Sequence, residues 1–168
     1  MISVPSAIVR NMPNYYFDSS ALVKYYHEEP GSPEVIRLIQ TPDTRHYISR
    51  LTFTELHSAF GGKVRSGHIE AEQFELSCER LRRDVFERRF LVLAMNTAHY
   101  LEAERLLKTY TADKGLRTLD SLQLSVALLE LQRDSRLDQF VCADDILTDV
   151  AASEGVTIFN PIKREGEG

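Results

Sequence analysis

The chain has 168 residues, of which 43% are hydrophobic and 27% charged, and its formal net charge is −5. This length suits a single domain with a full core, and the composition excludes a disordered chain. The negative balance argues against non-specific duplex binding, which typically accompanies a strongly basic domain. The apolar run at residues 90–95 is far shorter than the ~20 residues that a membrane span needs.

Strands and helices alternate in the first half of the chain. The aromatic segment 15–18 is predicted to be a strand, and a short helix begins after it near Ala21. Ser32 has the sequence context of an N-cap, with Pro33 at the first helical position. The remaining predicted elements of this half are a strand at 46–49, a helix from about Thr52 to Gly61, and a longer helix from Ile69 to Arg88.

The second half continues the alternation. Residues 90–93 form a continuous apolar run, which is typical of a strand buried on both faces of a sheet. Residues 97–111 have helical spacing, with Gly115 as a stop, and residues 119–131 are apolar almost all round, as in a central buried helix. The last unit is a strand at 140–143, a helix at about 145–153 and a strand at 156–159.

This order of elements predicts an α/β fold. Strands that alternate with helices give a mainly parallel sheet with helices on both faces, in three α/β/α layers. No repeat or linker divides the pattern, so we predict one domain at residues 14–162. Residues 1–13 are then an N-terminal extension without an assigned role, and residues 163–168 a flexible C-terminal tail.

Four acidic residues stand where predicted strands end or predicted helices begin. Asp18 and Asp144 follow two of the strands, and Glu55 and Asp120 lie in the first turns of two helices. An open α/β sheet binds its ligands at the carboxyl ends of its strands, so these carboxylates are expected to gather there. They would repel one another without a divalent cation, and hard oxygen ligands select Mg²⁺ or Mn²⁺. The pattern points to metal-assisted cleavage of a phosphodiester.

Each acid also has a purely structural interpretation. Asp18 and Asp144 both suit the N-cap position of a helix. Glu55 would complete a capping box that begins at Thr52. Asp120 would interact favourably with a helix dipole, although an uncompensated carboxylate is costly in its apolar surroundings. From the residues alone, the structural and the functional interpretations both stay open.

Other arrangements of catalytic or metal-binding residues are not visible. The five histidines have no HxxxH or HExxH spacing, and no phosphate-binding glycine loop or nucleophile elbow occurs. Cys78 and Cys142 are lone thiols, which suggests a reducing compartment, by default the cytoplasm, and no structural zinc. Asp145, which competes with its neighbour Asp144, is expected to be an exposed helical residue.

The segments around the four acids resemble the motifs of PIN-domain ribonucleases, in particular those of VapC-type toxins. In chain order these segments are FDSSALVK at 17–24, LTFTEL at 51–56, LDSLQL at 119–124 and VCADDIL at 141–147, and the ending FNP follows at 159–161. The resemblance covers about residues 14–161, nearly the whole chain. Cys142 departs from it, because the family often has Thr or Ser at this place.

The resemblance implies a PIN-like nuclease domain that hydrolyses RNA phosphodiesters with metal-activated water. It also implies a cognate antitoxin as partner and a homodimer. Two further residues are candidates for assisting roles, one in orienting an acid or a water and one in contacting phosphate. The implied site consists of Asp18, Asp120 and Asp144 as ligands of Mg²⁺ or Mn²⁺, Glu55 completing it, Ser20 as the orienting residue and Arg117 as the phosphate contact.

The predicted antitoxin needs a docking surface. Two short helices in the first third of the chain carry more apolar residues than one thin layer is expected to bury, and such an excess commonly marks an interface. We expect the antitoxin to lay an apolar helix there and to direct a basic side chain toward the acids, with ordinary packing on the sheet as the alternative. The residues concerned are Tyr25, Tyr26, Val35, Ile36, Leu38 and Ile39.

Of three other functions, the residues argue against a phosphatase and a non-catalytic scaffold, whereas an RNA-processing role stays open. An aspartyl-phosphate phosphatase needs a second Asp where this chain has Ser20. An RNA-processing nuclease that is not a toxin would use the same acids, whereas a non-catalytic RNA- or protein-binding scaffold would not need all four. The arginine-rich segment 80–89 fits either a solvated helix face or a patch that contacts RNA or a partner.

Overall fold

The computed structural model describes residues 12–163, which form a five-stranded sheet between two layers of helices. Most of the predicted N-terminal extension and C-terminal tail, residues 1–11 and 164–168, lies outside the described residues. No helix in the described range is long and apolar enough to cross a membrane. The elements in chain order are β1 (Asn14–Phe17), α1 (Ser19–Tyr26), α2 (Ser32–Gln40), β2 (Arg45–Ser49), α3 (Arg50–Arg65), α4 (Ala71–Phe86), β3 (Leu91–Leu93), α5 (Thr97–Lys114), α6 (Thr118–Ala127), a π-helical turn (Leu128–Gln132), β4 (Gln139–Val141), α7 (Asp145–Ser153) and β5 (Ile158–Phe159).

All pairs of neighbouring strands are parallel, and the spatial order is β3-β2-β1-β4-β5. From β1, the chain adds β2 and β3 toward one edge of the sheet. It then crosses back over the sheet and adds β4 and β5 on the other side of β1. β1 and β4 flank the point at which this growth reverses, where open α/β sheets bind ligands. The predicted three-layer α/β/α fold is confirmed, and the described sheet is parallel throughout.

Two hydrophobic cores lie on opposite faces of the sheet, because successive side chains of a strand point to opposite sides. Phe17 packs with residues of α1 to α4, whereas Tyr16 packs with residues of α5 to α7. Both aromatic side chains are fully buried, and Tyr16 stacks on Phe140 of β4. These contacts hold the carboxyl ends of β1 and β4 side by side.

β3 is an edge strand, which corrects the prediction for residues 90–93. The apolar run predicts burial on both faces, but Leu91, Val92 and Leu93 are only half-buried. The reason is that β3 pairs with β2 alone. A continuous apolar run does not tell a central strand from an edge strand that is partly covered by helices.

α2 begins one residue earlier than the sequence predicts. Gly31, and not Ser32, is its N-cap, with a φ of +90°. A Cβ at this position would lie 2.8 Å from the carbonyl oxygen of Pro161, so the backbone angle and the close approach both require glycine. The Ser32 hydroxyl accepts a hydrogen bond from the Glu29 N–H and donates one to the His27 carbonyl, within the preceding loop.

α3 also begins earlier than predicted, and the proposed capping box is wrong. Ser49 is the N-cap, and its Oγ accepts a hydrogen bond from the Thr52 N–H at 2.9 Å. Thr52 and Glu55 therefore lie inside the helix, and Glu55 is free of a capping role. The helix continues past Gly61, because burial of Phe60 against α1 and α4 outweighs the cost of about 1 kcal/mol for a helical glycine.

α1 and α2 do not offer the surplus apolar surface that the antitoxin groove requires. Four of the six residues concerned belong to the buried core on one face of the sheet, and the other two are half-buried. Ordinary packing on the sheet thus accounts for them, and this prediction is corrected. The buried four are Tyr26, Val35, Leu38 and Ile39, and the half-buried two are Tyr25 and Ile36.

The arginines at 80–89 divide between packed and exposed positions. The Arg80 guanidinium lies over the Tyr25 ring, 4.4 Å from its centroid, and Arg89 donates to the buried Asp84 at 3.0 Å. The Arg80 and Arg89 side chains nevertheless stay 40% and 39% exposed. Both interpretations of the segment therefore stay open, and its other three arginines, Arg82, Arg83 and Arg88, are also exposed.

Candidate active site

A cleft of about 340 Å³ opens at the carboxyl ends of β1 and β4, beside the first turns of α1, α6 and α7. Its walls come from four separate stretches of the chain, so only the fold brings them together. Every residue that the sequence singled out for the site lies at this cleft, while their chemical roles stay a prediction. These residues are Asp18, Ser20, Glu55, Arg117, Asp120 and Asp144.

Asp18 reaches the cleft because it directly follows β1 and precedes α1. Its side chain caps α1, with Oδ2 accepting a hydrogen bond from the Ser20 N–H at 3.0 Å. The residue is only 3% exposed. Capping uses Oδ2 and leaves Oδ1 without a hydrogen-bond partner among residues 12–163. The structural and functional interpretations of Asp18 are therefore compatible.

Ser20 and Cys142 join the turn after β1 to the turn after β4. The Ser20 Oγ accepts a hydrogen bond from the Ala143 N–H at 3.0 Å and lies 3.6 Å from the Cys142 Sγ. The Cys142 Sγ is also 3.7 Å from Asp18 Oδ2, where a thiol acts as a weak donor in place of a hydroxyl. Burial raises the pKa of Cys142 well above its ordinary value, so the sulfur stays protonated. Ser20 thereby fixes Asp18 relative to the strand end at β4.

Asp144 caps α7 and faces the cleft with the same carboxylate. Its Oδ1 accepts a hydrogen bond from the Leu147 N–H at 2.9 Å, and its Oδ2 accepts one from Arg117 Nη2 at 2.7 Å. Asp145 is exposed and pairs with Lys163 at 2.9 Å. The structure thus places Asp144 at the cleft and Asp145 outside it, as expected from the strand boundary.

Arg117 links two acids that come from different elements. Its Nε donates to Asp120 Oδ2 and its Nη2 to Asp144 Oδ2, each at 2.7 Å. The side chain is nevertheless 62% exposed, so it lies at the rim and has room to move outward. Its positive charge partly neutralises the two carboxylates. The sequence predicted a phosphate contact for Arg117 but not these two ion pairs.

Glu55 is held by a residue that the sequence interpretation missed. Gln123 of α6 donates from Nε2 to Glu55 Oε2 at 2.6 Å. Gln123 is 1% exposed and stands three residues after Asp120, on the same side of α6. The available signal was an amide among the leucines of α6, Leu122 and Leu124, because a buried polar side chain needs hydrogen-bond partners.

Burial and crowding disfavour the charged forms of two of the acids. Burial, with smaller contributions from Glu55 and Asp120, raises the pKa of Asp18 to about 6. Burial also raises the pKa of Asp120, and Asp144 adds to the effect while Arg117 opposes it. Carboxylates whose ionisation is disfavoured in this way are stabilised by a nearby cation.

The donor set fits a hard divalent cation, although the acids do not surround one position. All four are carboxylates, which supply the oxygen donors that Mg²⁺ and Mn²⁺ prefer. Among residues 12–163, no three His, Cys, Asp or Glu side chains lie close enough together to hold an ion as they stand. Arg117 engages two of the carboxylates and Gln123 engages a third. Three of the four acids thus have a carboxylate oxygen engaged by a neighbouring side chain.

Comparison with known proteins agrees with this fold. A family model described as the PIN domain matches residues 15–151, whereas comparison with curated protein sequences found no significant match. Similar solved structures include FitAcB from Neisseria gonorrhoeae, at 17% identity over 88% of this chain and 97% of that chain, with a TM-score of 0.63. VapBC2 from Rickettsia felis, bound to a promoter DNA fragment, shares 16% identity over 88% and 98%, with a TM-score of 0.58. A toxin–antitoxin complex from Klebsiella pneumoniae shares 16% identity over 89% and 99%, with a TM-score of 0.57.

Proposed function

The chain belongs to the PIN-domain family, which implies a nuclease, and from this premise we propose that it is a Mg²⁺- or Mn²⁺-dependent endoribonuclease acting as the toxin of a toxin–antitoxin pair. One observation carries the proposal: carboxylates from four separate stretches of the chain line a single cleft at the switch point of a parallel sheet. Four carboxylates at one cleft repel one another, which costs free energy. A bound divalent cation would offset this repulsion.

The four acids have two proposed roles in binding the cation. Asp18, Asp120 and Asp144 are its proposed direct or water-mediated ligands, and Glu55 completes the site. A bound divalent cation would lower the pKa of a coordinated water and stabilise negative charge on the phosphate. The burial of Asp18 and its bond to the Ser20 N–H keep that carboxylate in one orientation.

Arg117 is proposed to exchange one anionic partner for another. In the present arrangement its guanidinium neutralises Asp120 and Asp144. Asp120 and Asp144 would hold the cation in its place, and the Arg117 guanidinium, which is 62% exposed at the rim, would then be suited to a bidentate contact with phosphate.

RNA is the proposed substrate. Enzymes that recognise RNA specifically read unpaired bases in single strands and loops, since the deep major groove of an RNA duplex is closed to side chains. The net charge of −5 fits a protein that does not bind duplexes indiscriminately. Single-stranded and loop RNA are therefore the substrates to test first.

RNA cleavage by the purified protein is expected to fall to background in excess EDTA and to return when Mg²⁺ or Mn²⁺ is added in excess of the chelator. The physical reason is that four carboxylates repel the negatively charged phosphate unless a cation neutralises them, and that a bound divalent cation would also lower the pKa of a coordinated water. The measurement is the cleavage rate of a labelled RNA that contains a loop.

The control for this experiment is Asp18→Asn protein prepared in parallel, because a contaminating ribonuclease would persist in that preparation. Cleavage by the wild-type chain that continues undiminished under chelation would remove the metal-dependent mechanism. Cleavage equal in both preparations would show that the activity belongs to a contaminant.

A toxin requires a partner that restrains it. The similar structures include one described as a toxin–antitoxin complex, which supports an antitoxin here as a proposal. Its basic side chain would enter the cleft in competition with Arg117, since both are attracted by the same acids. The homodimer that the family resemblance implies, and the cytoplasmic location, stay predictions.

Expression of the chain alone in a bacterial host is expected to arrest growth, and co-expression of the small open reading frame adjacent to its gene is expected to relieve the arrest. The reason is that an unrestrained ribonuclease degrades RNA that the host needs. Growth curves after induction measure the effect, with Asp18→Asn as the control that should be harmless. Harmless expression of a chain that cleaves RNA in vitro would favour an RNA-processing enzyme, and absence of cleavage would favour a non-catalytic scaffold.

A further inference from the structure

A buried polar network lies beneath the cleft, and the amide of Gln123 is its centre. The Gln123 Oε1 accepts hydrogen bonds from Tyr16 Oη at 2.8 Å, Ser49 Oγ at 2.8 Å and Thr52 Oγ1 at 2.9 Å. These partners come from β1, from the end of β2 and from α3. All four side chains are buried, so the network ties three elements to α6 without contact with solvent.

The direction of the Gln123 amide follows from its two sets of partners. Three hydroxyls surround the carbonyl oxygen, which has two lone pairs to accept from them, and the Ser49 and Thr52 hydroxyls also lie 3.1 Å from each other. On the other side, Nε2 lies 2.6 Å from Glu55 Oε2. A flipped amide would place its oxygen against the carboxylate, where two acceptors repel each other. The NH₂ group therefore points at Glu55, and the three hydroxyls hold it there.

A neutral donor suits this position. Arg117 neutralises the carboxylates that it binds, so it competes with a cation for them. Gln123 carries no charge, and its hydrogen bond orients Glu55 while leaving the full negative charge available to an ion. No other side chain among residues 12–163 donates to Glu55, so Gln123 supplies the hydrogen bond that orients this carboxylate.

We infer that Gln123 is a positioning residue, whose amide holds the Glu55 carboxylate in the orientation needed for divalent cation binding. This inference rests on the proposed function and adds a residue to it. The Gln123 side chain is directed at Glu55 and takes no part as a ligand itself. Residues that orient metal ligands typically change metal affinity by 10–100-fold when they are replaced.

The test is Mn²⁺ binding to the purified full-length protein, followed without RNA by electron paramagnetic resonance of the free ion, which also reads weak binding. Gln123→Met keeps the approximate volume and removes the amide, so the Mn²⁺ Kd is expected to rise about tenfold or more. Ser125→Ala is the matched control: Ser125 is buried on the same helix, and within the described part of the chain its hydroxyl bonds only to the Leu122 carbonyl. That variant is expected to keep the wild-type Kd within about twofold.

A double-mutant cycle separates positioning from general disturbance. If Gln123 acts through Glu55, then Gln123→Met should raise the Kd no further in a Glu55→Ala background, because the carboxylate that it orients is gone. Should Gln123→Met fail to fold by circular dichroism, Gln123→Asn replaces it. Asparagine keeps a buried amide for the hydroxyls but is one methylene too short to reach Glu55 as well.

The outcomes distinguish this inference from the proposed function. A wild-type Kd in the Gln123 variant overturns the inference alone, and so does an equal rise in Kd with and without the Glu55 carboxylate. Absence of Mn²⁺ binding by the wild-type chain overturns the proposed function and this inference together. A rise confined to chains that carry Glu55, with Ser125→Ala unaffected, establishes the positioning role.

Discussion

Asp18→Asn is expected to reduce RNA cleavage by roughly 10²-fold or more, a loss comparable to that of removing one preorganised electrostatic contact from an active site. The substitution keeps the shape of the side chain and an oxygen acceptor for the Ser20 N–H, so the cap of α1 survives. Only the negative charge at the cleft is lost. The measurement is the rate of RNA cleavage at saturating Mg²⁺.

The same variant is expected to be at least as stable as the wild-type chain. Burial raises the pKa of Asp18 from its model-compound value of 3.8 to about 6, so the folded state binds more protons than the unfolded state between these two pH values. Stability from this group is therefore highest below about pH 4 and falls as the pH rises through 6. At about 1.4 kcal/mol per pKa unit, removing the charge should stabilise the metal-free protein by an upper limit of about 3 kcal/mol at neutral pH.

Urea denaturation of both proteins in EDTA, at pH 4.5 and pH 7.5, measures this difference in stability, which should be larger at the higher pH. Asp113→Asn is the matched control, because Asp113 is exposed on α5 and its replacement should change neither activity nor stability. A marked fall in the unfolding midpoint of Asp18→Asn would show that the residue is mainly a cap. Full cleavage by that variant would remove Asp18 from the site.

Asp144 and Asp145 are expected to respond to substitution in opposite ways. Asp144→Ala should lose cleavage by roughly 10²-fold or more and also about 1 kcal/mol of stability, because Oδ1 caps α7 through the Leu147 N–H. Asp144→Ser keeps a capping oxygen and removes the carboxylate, so it should lose cleavage with little loss of stability. The two variants together separate the capping role from the chemical one.

Asp145→Ala is the control for this pair, since its carboxylate is 72% exposed and contacts Lys163. Substitutions at such surface positions change the free energy of unfolding by no more than about 0.5 kcal/mol. Because Asp145 also lies outside the cleft, cleavage should stay within about twofold of the wild type. Single-turnover cleavage rates and urea midpoints measure both effects. Loss of cleavage in Asp145→Ala, with Asp144→Ser active, would mean that the site lies one residue further along the chain.

The fold class and the acids could be predicted from the sequence because their signals are local. A strand followed at once by Asp18 or Asp144 places a carboxylate at the strand's carboxyl end, whatever the rest of the chain does. Helices between strands then make the strands parallel, and parallel strands end at one edge. Asp120 follows by a similar rule, because it lies in the first turn of α6. Glu55 also lies at the cleft, although α3 begins earlier than predicted and Glu55 is in its second turn.

The sequence was less informative where an element's neighbours decide its properties. The apolar run at 90–93 predicts a strand, but its place at the edge depends on which strands pair with it. The apolar residues of α1 and α2 indicate burial without saying whether the sheet or a partner covers them. The start of α3 depends on Ser49, whose hydroxyl belongs both to the helix cap and to the network around Gln123.

The contacts that complete the site were decided only by the tertiary structure. Gln123 and Glu55 are 68 positions apart in the chain, and Gln123 and Tyr16 are 107 apart. Arg117 meets Asp144 across 27 residues. Local propensity carries no information about such pairs, because each hydrogen bond forms only after the sheet and both helical layers have closed around it. The chain by itself determined which acids reach the cleft, and the packing of α6 against β1, β2 and α3 determined how Glu55 is held there.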